Sequence, residues 1–183
     1  MAAGSRQGVP RTVRLSGNVR LGRLAPVPGF EAKVLTVSDG VVAGTREDLS
    51  GSALADAVER AGGTVTERHV CSDGADTVEA TLRRMSANFT GVIVTTGGTG
   101  FAPRDETPEG TSRVITRGAP GLAEAMRAVN PLGRLSRGVV GIAGNCIIVN
   151  TPGSPKGCVE QFEAVADVLA HAVALLAQTP TEH

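Results

Sequence analysis

Between residues 91 and 109 the chain passes from an apolar run, Gly91-Val92-Ile93-Val94, through Thr95-Thr96-Gly97-Gly98-Thr99-Gly100 and Phe101-Ala102-Pro103-Arg104-Asp105-Glu106, to Thr107-Pro108-Glu109. The apolar run reads as a buried parallel strand, and Thr107 with Pro108 reads as the N-cap and first position of a helix. Glycines between strand and helix let backbone N–H groups converge on an anion. Threonine hydroxyls add donors there, and Asp105 can hold a cation that offsets phosphate charge. This order constrains the fold to an α/β class with a phosphate site at a strand end.

The rest of the chain repeats the alternation. Val34-Leu35-Thr36-Val37 reads as a strand, after which Ser50 is expected to cap a helix carrying Leu54, Ala57, Val58 and Ala61 on one face, ended by Gly62-Gly63. Thr64 to Cys71 is β-rich, and Thr77 to Phe89 has helical spacing. Beyond the glycine turn a helix is expected over 108–117 and another around Leu122, Ala125, Met126 and Val129, stopped by Asn130-Pro131. Gly138 to Ala143 and Cys146 to Val149 read as a hairpin turning on Gly144-Asn145, so the largely parallel sheet should carry an antiparallel part. One apolar stripe from Val159 to Leu176 predicts a single closing helix over 155–176.

In an open parallel sheet, ligands collect at the carboxyl ends of the strands. Four loops qualify: Ser38-Asp39-Gly40 running on to Asp48-Leu49-Ser50-Gly51, Ser72-Asp73-Gly74, the glycine turn through Asp105, and Asn150-Thr151-Pro152-Gly153-Ser154-Pro155-Lys156. Each offers a carboxylate, a hydroxyl or a flexible backbone, and together they describe a polyanion site with a metal. Each also has a bland reading: a tight connection for Gly97-Gly98, dipole complement for Glu109, turn formation for Asp73 and Asp76, capping for Ser136, surface charge for Lys156. His69 and Cys71 share a strand face without a third metal ligand.

Eighteen basic residues balance eighteen acidic ones, so no global field draws in nucleic acid or an anionic membrane. Without Trp or Tyr the chain lacks the aromatic platforms that stack single-stranded bases. Cys71, Cys146 and Cys158 form no C-x-x-C pair, which fits a reducing cytoplasm and buried bystander thiols. Residues 1–30 carry Arg6, Arg11, Arg14, Arg20 and Arg23 with no acidic residue, and read as a disordered basic arm before a single domain over residues 31–178.

At Thr96-Gly97-Gly98-Thr99-Gly100, Arg104-Asp105-Glu106-Thr107-Pro108-Glu109, Val37-Ser38-Asp39, Asp48-Leu49-Ser50-Gly51, Pro120-Gly121, Leu135-Ser136-Arg137 and the 150–156 segment, the chain resembles the MogA/MoaB family of molybdenum cofactor biosynthesis, which includes the G domain of gephyrin. The resemblance runs from about Lys33 to Leu176. It implies a three-layer α/β/α fold with a mostly parallel sheet, assembly as a homotrimer, and adenylylation of molybdopterin by ATP with Mg²⁺ and release of pyrophosphate. A downstream molybdenum-insertion protein is an implied partner. Carried over, the two essential aspartates, also the metal ligands, fall on Asp105 and on Asp73, with Asp76 as a rival for the second. Phosphate, pterin and nucleotide contacts fall on Ser38, Asp39, Thr96, Gly97, Gly98, Thr99, Gly100, Glu109, Ser136, Pro152, Gly153, Ser154 and Lys156. Two other readings stand beside it: a pterin-binding scaffold of the same fold without catalysis, and a CinA-type nucleotide pyrophosphatase. The latter group usually carries leucine in place of Thr99 and a paired aspartate near Asp105.

Overall fold

A computed structural model describes Met1 and residues 29–178; the basic arm expected over residues 1–30 lies almost wholly outside the described residues. Six strands form one sheet: β1 (Glu31–Val37), β2 (Thr64–Cys71), β3 (Gly91–Thr96), β4 (Arg117–Gly118), β5 (Val140–Ala143) and β6 (Cys146–Thr151), in the order β2-β1-β3-β6-β5-β4. β1, β2, β3 and β6 run parallel, whereas β5 lies antiparallel to β6 and β4 antiparallel to β5. The β5–β6 hairpin turns at Gly144, whose φ of 58° is left-handed, as the Gly-Asn pair predicted.

Burial follows position in the sheet. β3 and β6 are buried at every residue, while edge strand β2 alternates toward solvent. Along the central strands successive side chains feed opposite cores. Val34, Val92, Val94, Ile147 and Val149 meet Leu54 and Val58 of α2 (Leu49–Arg60), Met126 of α5 (Pro120–Ala128), Phe162 of α6 (Pro155–Glu163) and Leu169 of α7 (Ala166–Leu176). Leu35, Ile93 and Ile148 meet Val78, Leu82 and Met85 of α3 (Ala75–Ser86) on the other face. The molecule is thus a three-layer α/β/α sandwich with a mostly parallel sheet.

Several expected boundaries move for identifiable reasons. Asp48, not Ser50, caps α2: its carboxylate accepts from Gly51 N at 2.9 Å and also takes the Thr36 hydroxyl at 3.0 Å, a partner far from it in sequence. The helix expected over 108–117 is α4 (Thr107–Ser112), because the chain then turns so that Thr116 N donates to Ile142 O and Arg117–Gly118 join the sheet as β4. The closing helix is two, α6 and α7, parted at Val165, where φ of −128° and ψ of −6° leave the helical range. Val165 is still buried in the core, so the apolar stripe continues across the break and hides it.

Register places the site. Thr36 pairs with Thr96 and Thr96 with Thr151, while Val37 pairs with Cys71, so four parallel strands end level at one edge. Strand order reverses beside β1, and the loops leaving these ends meet there.

Candidate active site

The floor of the site is a buried polar platform. Asn150 Nδ2 donates to Thr95 Oγ1 (3.1 Å) and Thr111 Oγ1 (2.9 Å), Thr151 Oγ1 to Thr95 O (2.7 Å), and Thr96 Oγ1 to Pro152 O (2.8 Å). Every one of these side chains is sealed in the fold, and the bonds tie the ends of β3 and β6 together. Thr96 is therefore part of the support beneath the site, not a group that faces it.

On this platform the glycine turn takes a conformation closed to other residues. Gly97 and Gly98 have φ of 101° and 62°, a Cβ at Gly97 would strike the Val37 carbonyl oxygen, and one at Gly98 would strike Thr107 Oγ1. Thr107 does not act as the N-cap expected of it. It is the first residue of α4, its hydroxyl lies buried without a partner under Gly98, and the capping position belongs to Glu106. The Glu106 carboxylate is turned to another helix, accepting from Ala75 N at 3.0 Å at the start of α3.

Two cavities open on either side of this turn. The larger, about 700 Å³, is lined by Thr99, Gly100, Ser136, Pro152, Ser154 and Lys156 among the expected residues, with Pro131, Leu132, Leu135 and Gln161 beside them. The smaller, about 430 Å³, holds Ser38, Asp73 and Gly97 together with Val41, Arg46 and Leu49. Gly98, Asp105 and Gly153 line both.

The two aspartates come from different loops, Asp105 in the common wall and Asp73 in the smaller cavity. Asp105 Oδ2 accepts from Ala102 N at 2.8 Å, which leaves Oδ1 without a donor among the described residues. Asp73 Oδ2 accepts from Asp39 N at 2.8 Å, and Asp73 N donates to Asp39 Oδ1 at 3.1 Å, again leaving one Asp73 oxygen uncommitted. Asp76, 97% exposed at its side chain and ion-paired with Arg113 at 2.7 Å, lines neither cavity.

Some expected contacts are engaged elsewhere. Asp39 is gripped by Arg104 through Nε (2.8 Å) and Nη2 (3.2 Å), and this guanidinium holds the Asp39 carboxyl below its usual range. Glu109 is paired with Arg137, which lowers its carboxyl likewise, and it lines neither cavity. Lys156 lines the larger cavity from a wholly solvent-facing position, 3.7 Å from Glu160. Ser38 and Ser154 cap α1 (Asp39–Val42) and α6.

The arginines are the residues that sequence reasoning missed as site components. Arg137 Nε donates to Gly100 O at 2.7 Å, Nη2 to Asp105 O, Nη1 to Glu109, and its backbone N to Thr99 O at 2.9 Å. Arg104 joins Asp39 to the Asp73 carbonyl at 3.0 Å. Arg46 lines the smaller cavity and forms no ion pair with any described residue. The signal available was a guanidinium in or beside each acidic motif. The three thiols are buried and free, and burial pushes each of them up, that of Cys146 to about 11.

Comparison with known proteins supplies the family. The family described as probable molybdopterin binding domain matches residues 33–171. The chain belongs to this molybdopterin-binding family. It is 38% identical over 150 residues to the molybdenum cofactor synthesis protein cinnamon of Drosophila melanogaster, covering 78% of this chain and 25% of that protein. The chain thus spans about a quarter of that relative's length. A Helicobacter pylori molybdopterin adenylyltransferase is 37% identical over 150 residues, covering 78% of this chain and 85% of that one. Among solved structures, the molybdopterin biosynthesis enzyme MoaB from Thermus thermophilus superposes with a TM-score of 0.77 at 40% identity, covering 84% of this chain and 99% of that one. The molybdopterin-binding chain has a role in molybdenum cofactor biosynthesis, and among its described residues no helix is long and apolar enough to cross a membrane.

Proposed function

We infer that the chain is a molybdopterin adenylyltransferase, joining AMP from ATP to the terminal phosphate of molybdopterin. The observation that carries this reading is the common wall: two chambers of about 700 Å³ and 430 Å³ share Gly98, Asp105 and Gly153. Two guests seated on opposite sides meet where bare backbone and one carboxylate face both. The named Helicobacter pylori relative points to the same reaction.

The larger chamber suits the pterin, since Pro131, Leu132, Leu135 and Pro152 give it apolar walls for a flat ring. The smaller chamber suits the nucleotide, with the unpaired Arg46 guanidinium available to phosphate oxygens. Among the described residues no three acidic, His or Cys side chains cluster as a metal cage. Two carboxylates with one uncommitted oxygen each do fit Mg²⁺, which takes one or two protein carboxylates and completes its shell with phosphates and water. Asp73 and Asp105 would hold it, and its charge would offset that of the triphosphate and the leaving pyrophosphate.

The protein's own part is placement. The Gly97–Gly100 backbone orients phosphate oxygens in front of the platform, and Arg137 fixes that backbone from behind. A terminal oxygen of the pterin phosphate then attacks the α-phosphorus of ATP. The bond to the β-phosphate bridging oxygen breaks, and pyrophosphate departs. The attacking oxygen is already anionic, so no general base is required. The homotrimer and a hand-over of product to a molybdenum-inserting protein belong to this proposal too; light scattering of the purified chain tests the first. The reaction is tested by incubating the protein with molybdopterin and Mg-ATP. Stoichiometric pyrophosphate and adenylylated pterin are expected, and their absence from a preparation that binds molybdopterin would leave a non-catalytic scaffold instead.

A further inference from the structure

Gln161 on α6 is 3% exposed and lines the larger chamber, yet its carboxamide makes no hydrogen bond with any described residue. Nor is that amide sealed away: the sealed, unpartnered side-chain atom among the described residues is Thr107 Oγ1. The small exposure Gln161 retains is therefore toward the chamber. Its polar neighbours each hold a local bond. Asn130 Oδ1 accepts from Gly133 N at 2.9 Å while its Nδ2 donates to Glu160 at 2.8 Å; Ser136 and Ser154 accept from Gly138 N and Gly157 N. Thr99 also lacks a side-chain bond, but it lies on the glycine turn, where a phosphate is expected. Without a protein partner the amide is left to the chamber's solvent, which a guest presenting a matching donor and acceptor can replace.

We propose that Gln161 reads the pterin ring, its Oε1 accepting from the ring N3–H and its Nε2–H donating to the adjacent 4-oxo oxygen. A carboxamide and a lactam edge are complementary in this way: each carries one donor and one acceptor in a plane. The inference rests on the larger chamber being the pterin's. A carboxamide also pairs with the adenine edge, so the test separates the two rings.

The decisive variant of the full chain is Gln161→Met, which keeps length and volume while removing both polar atoms. Neopterin serves as the binding probe. Its emission is read without interference because the protein has no Trp or Tyr. The variant should bind neopterin about tenfold more weakly and show a KM for molybdopterin raised by about tenfold, with the KM for ATP unchanged. Its thermal midpoint should not fall, since the amide has no protein partner to lose. Gln161→Glu, which keeps the shape and the acceptor but loses the donor, should weaken neopterin to a similar degree, and carries the test should the methionine variant fail to fold. Unchanged neopterin affinity overturns the proposal. So does a rise in the KM for ATP alone, which would seat adenine there, or a lower midpoint with both KM values raised, which marks a structural residue. If the wild type binds neopterin but releases no pyrophosphate, adenylyl transfer fails while the tenfold loss in neopterin binding still supports the role of Gln161. A wild type that binds no neopterin overturns it.

Discussion

Asp105 stands in the wall common to both chambers and Asp73 in the smaller chamber alone, and they are held in different ways. The Asp105 loop is tied by Arg137, whose side chain is 33% exposed and whose bonds go largely to main-chain carbonyls of the turn itself. Asp73 is tied through Asp39 to Arg104, an ion pair whose side chains are 48% and 64% exposed. The first tether is shielded and anchors backbone; the second stands in solvent, where charge pairs are weak and screened by salt. One carboxylate is thus anchored through its backbone, while the other is set by a contact that conditions can loosen. Arg104 adjoins Asp105 in sequence, so the looser contact also links the loops that carry the two carboxylates.

The comparison breaks most visibly at Asp105 itself. Asp105→Ala should lower turnover by roughly 10²–10³-fold, while neopterin binding stays within twofold of wild type. A pyrophosphate-release assay with the purified variant measures it, and full activity would remove Asp105 from its assigned place.

Arg137→Ala is expected next. The variant should lose about tenfold or more in kcat and about 1–3 kcal/mol of stability in urea unfolding, because the turn's carbonyls lose their charged donor. Equal stability with reduced kcat would show that the clamp only aims the turn. Arg104→Ala should cost less, about fivefold in kcat at low salt, with little change in stability. Its signature is the salt response: raising the salt should reduce wild-type activity toward that of the variant, whereas Arg137→Ala should keep its separation from wild type.

The smallest effect is in pH. Arg104 holds the Asp39 carboxyl below its ordinary value of 3.8. The native-state stabilisation from this pair is therefore fully present above about pH 4 and is lost as the pH falls through the lowered value. Unfolding curves of wild type and Arg104→Ala, compared between neutral pH and acid, should begin to approach each other near pH 4 and converge once the pH is below the lowered value. Curves that stay parallel throughout would show that the pair adds nothing to stability.

What was legible in the sequence is what is local. The glycine turn, the carboxylate beyond it and the alternating apolar strands depend on neighbours within a few residues, so residue type alone announced them. The break at Val165 was hidden because the residue that leaves helical geometry remains buried and keeps the stripe intact. Thr107 looked like a cap by its position before a proline, but the packing of Gly98 over its hydroxyl decided otherwise. Arg104 and Arg137 find their partners 28 to 65 residues away, a separation at which pattern reading has no purchase. Gln161 sits one place before Phe162 of the core, and only the assembled sheet shows that its side of α6 borders a cavity.

Gly153, in the wall between the chambers, packs directly on the glycine turn. A Cβ on Gly153 would come within 3.3 Å of Gly97 Cα, so two main chains cross there with nothing between them. The partition is only as thick as a pair of peptide groups. In the proposed reaction this partition would keep pterin and nucleotide apart while their phosphates meet across it. A single methyl at that crossing would press on Gly97 and shift the very turn on which both chambers depend.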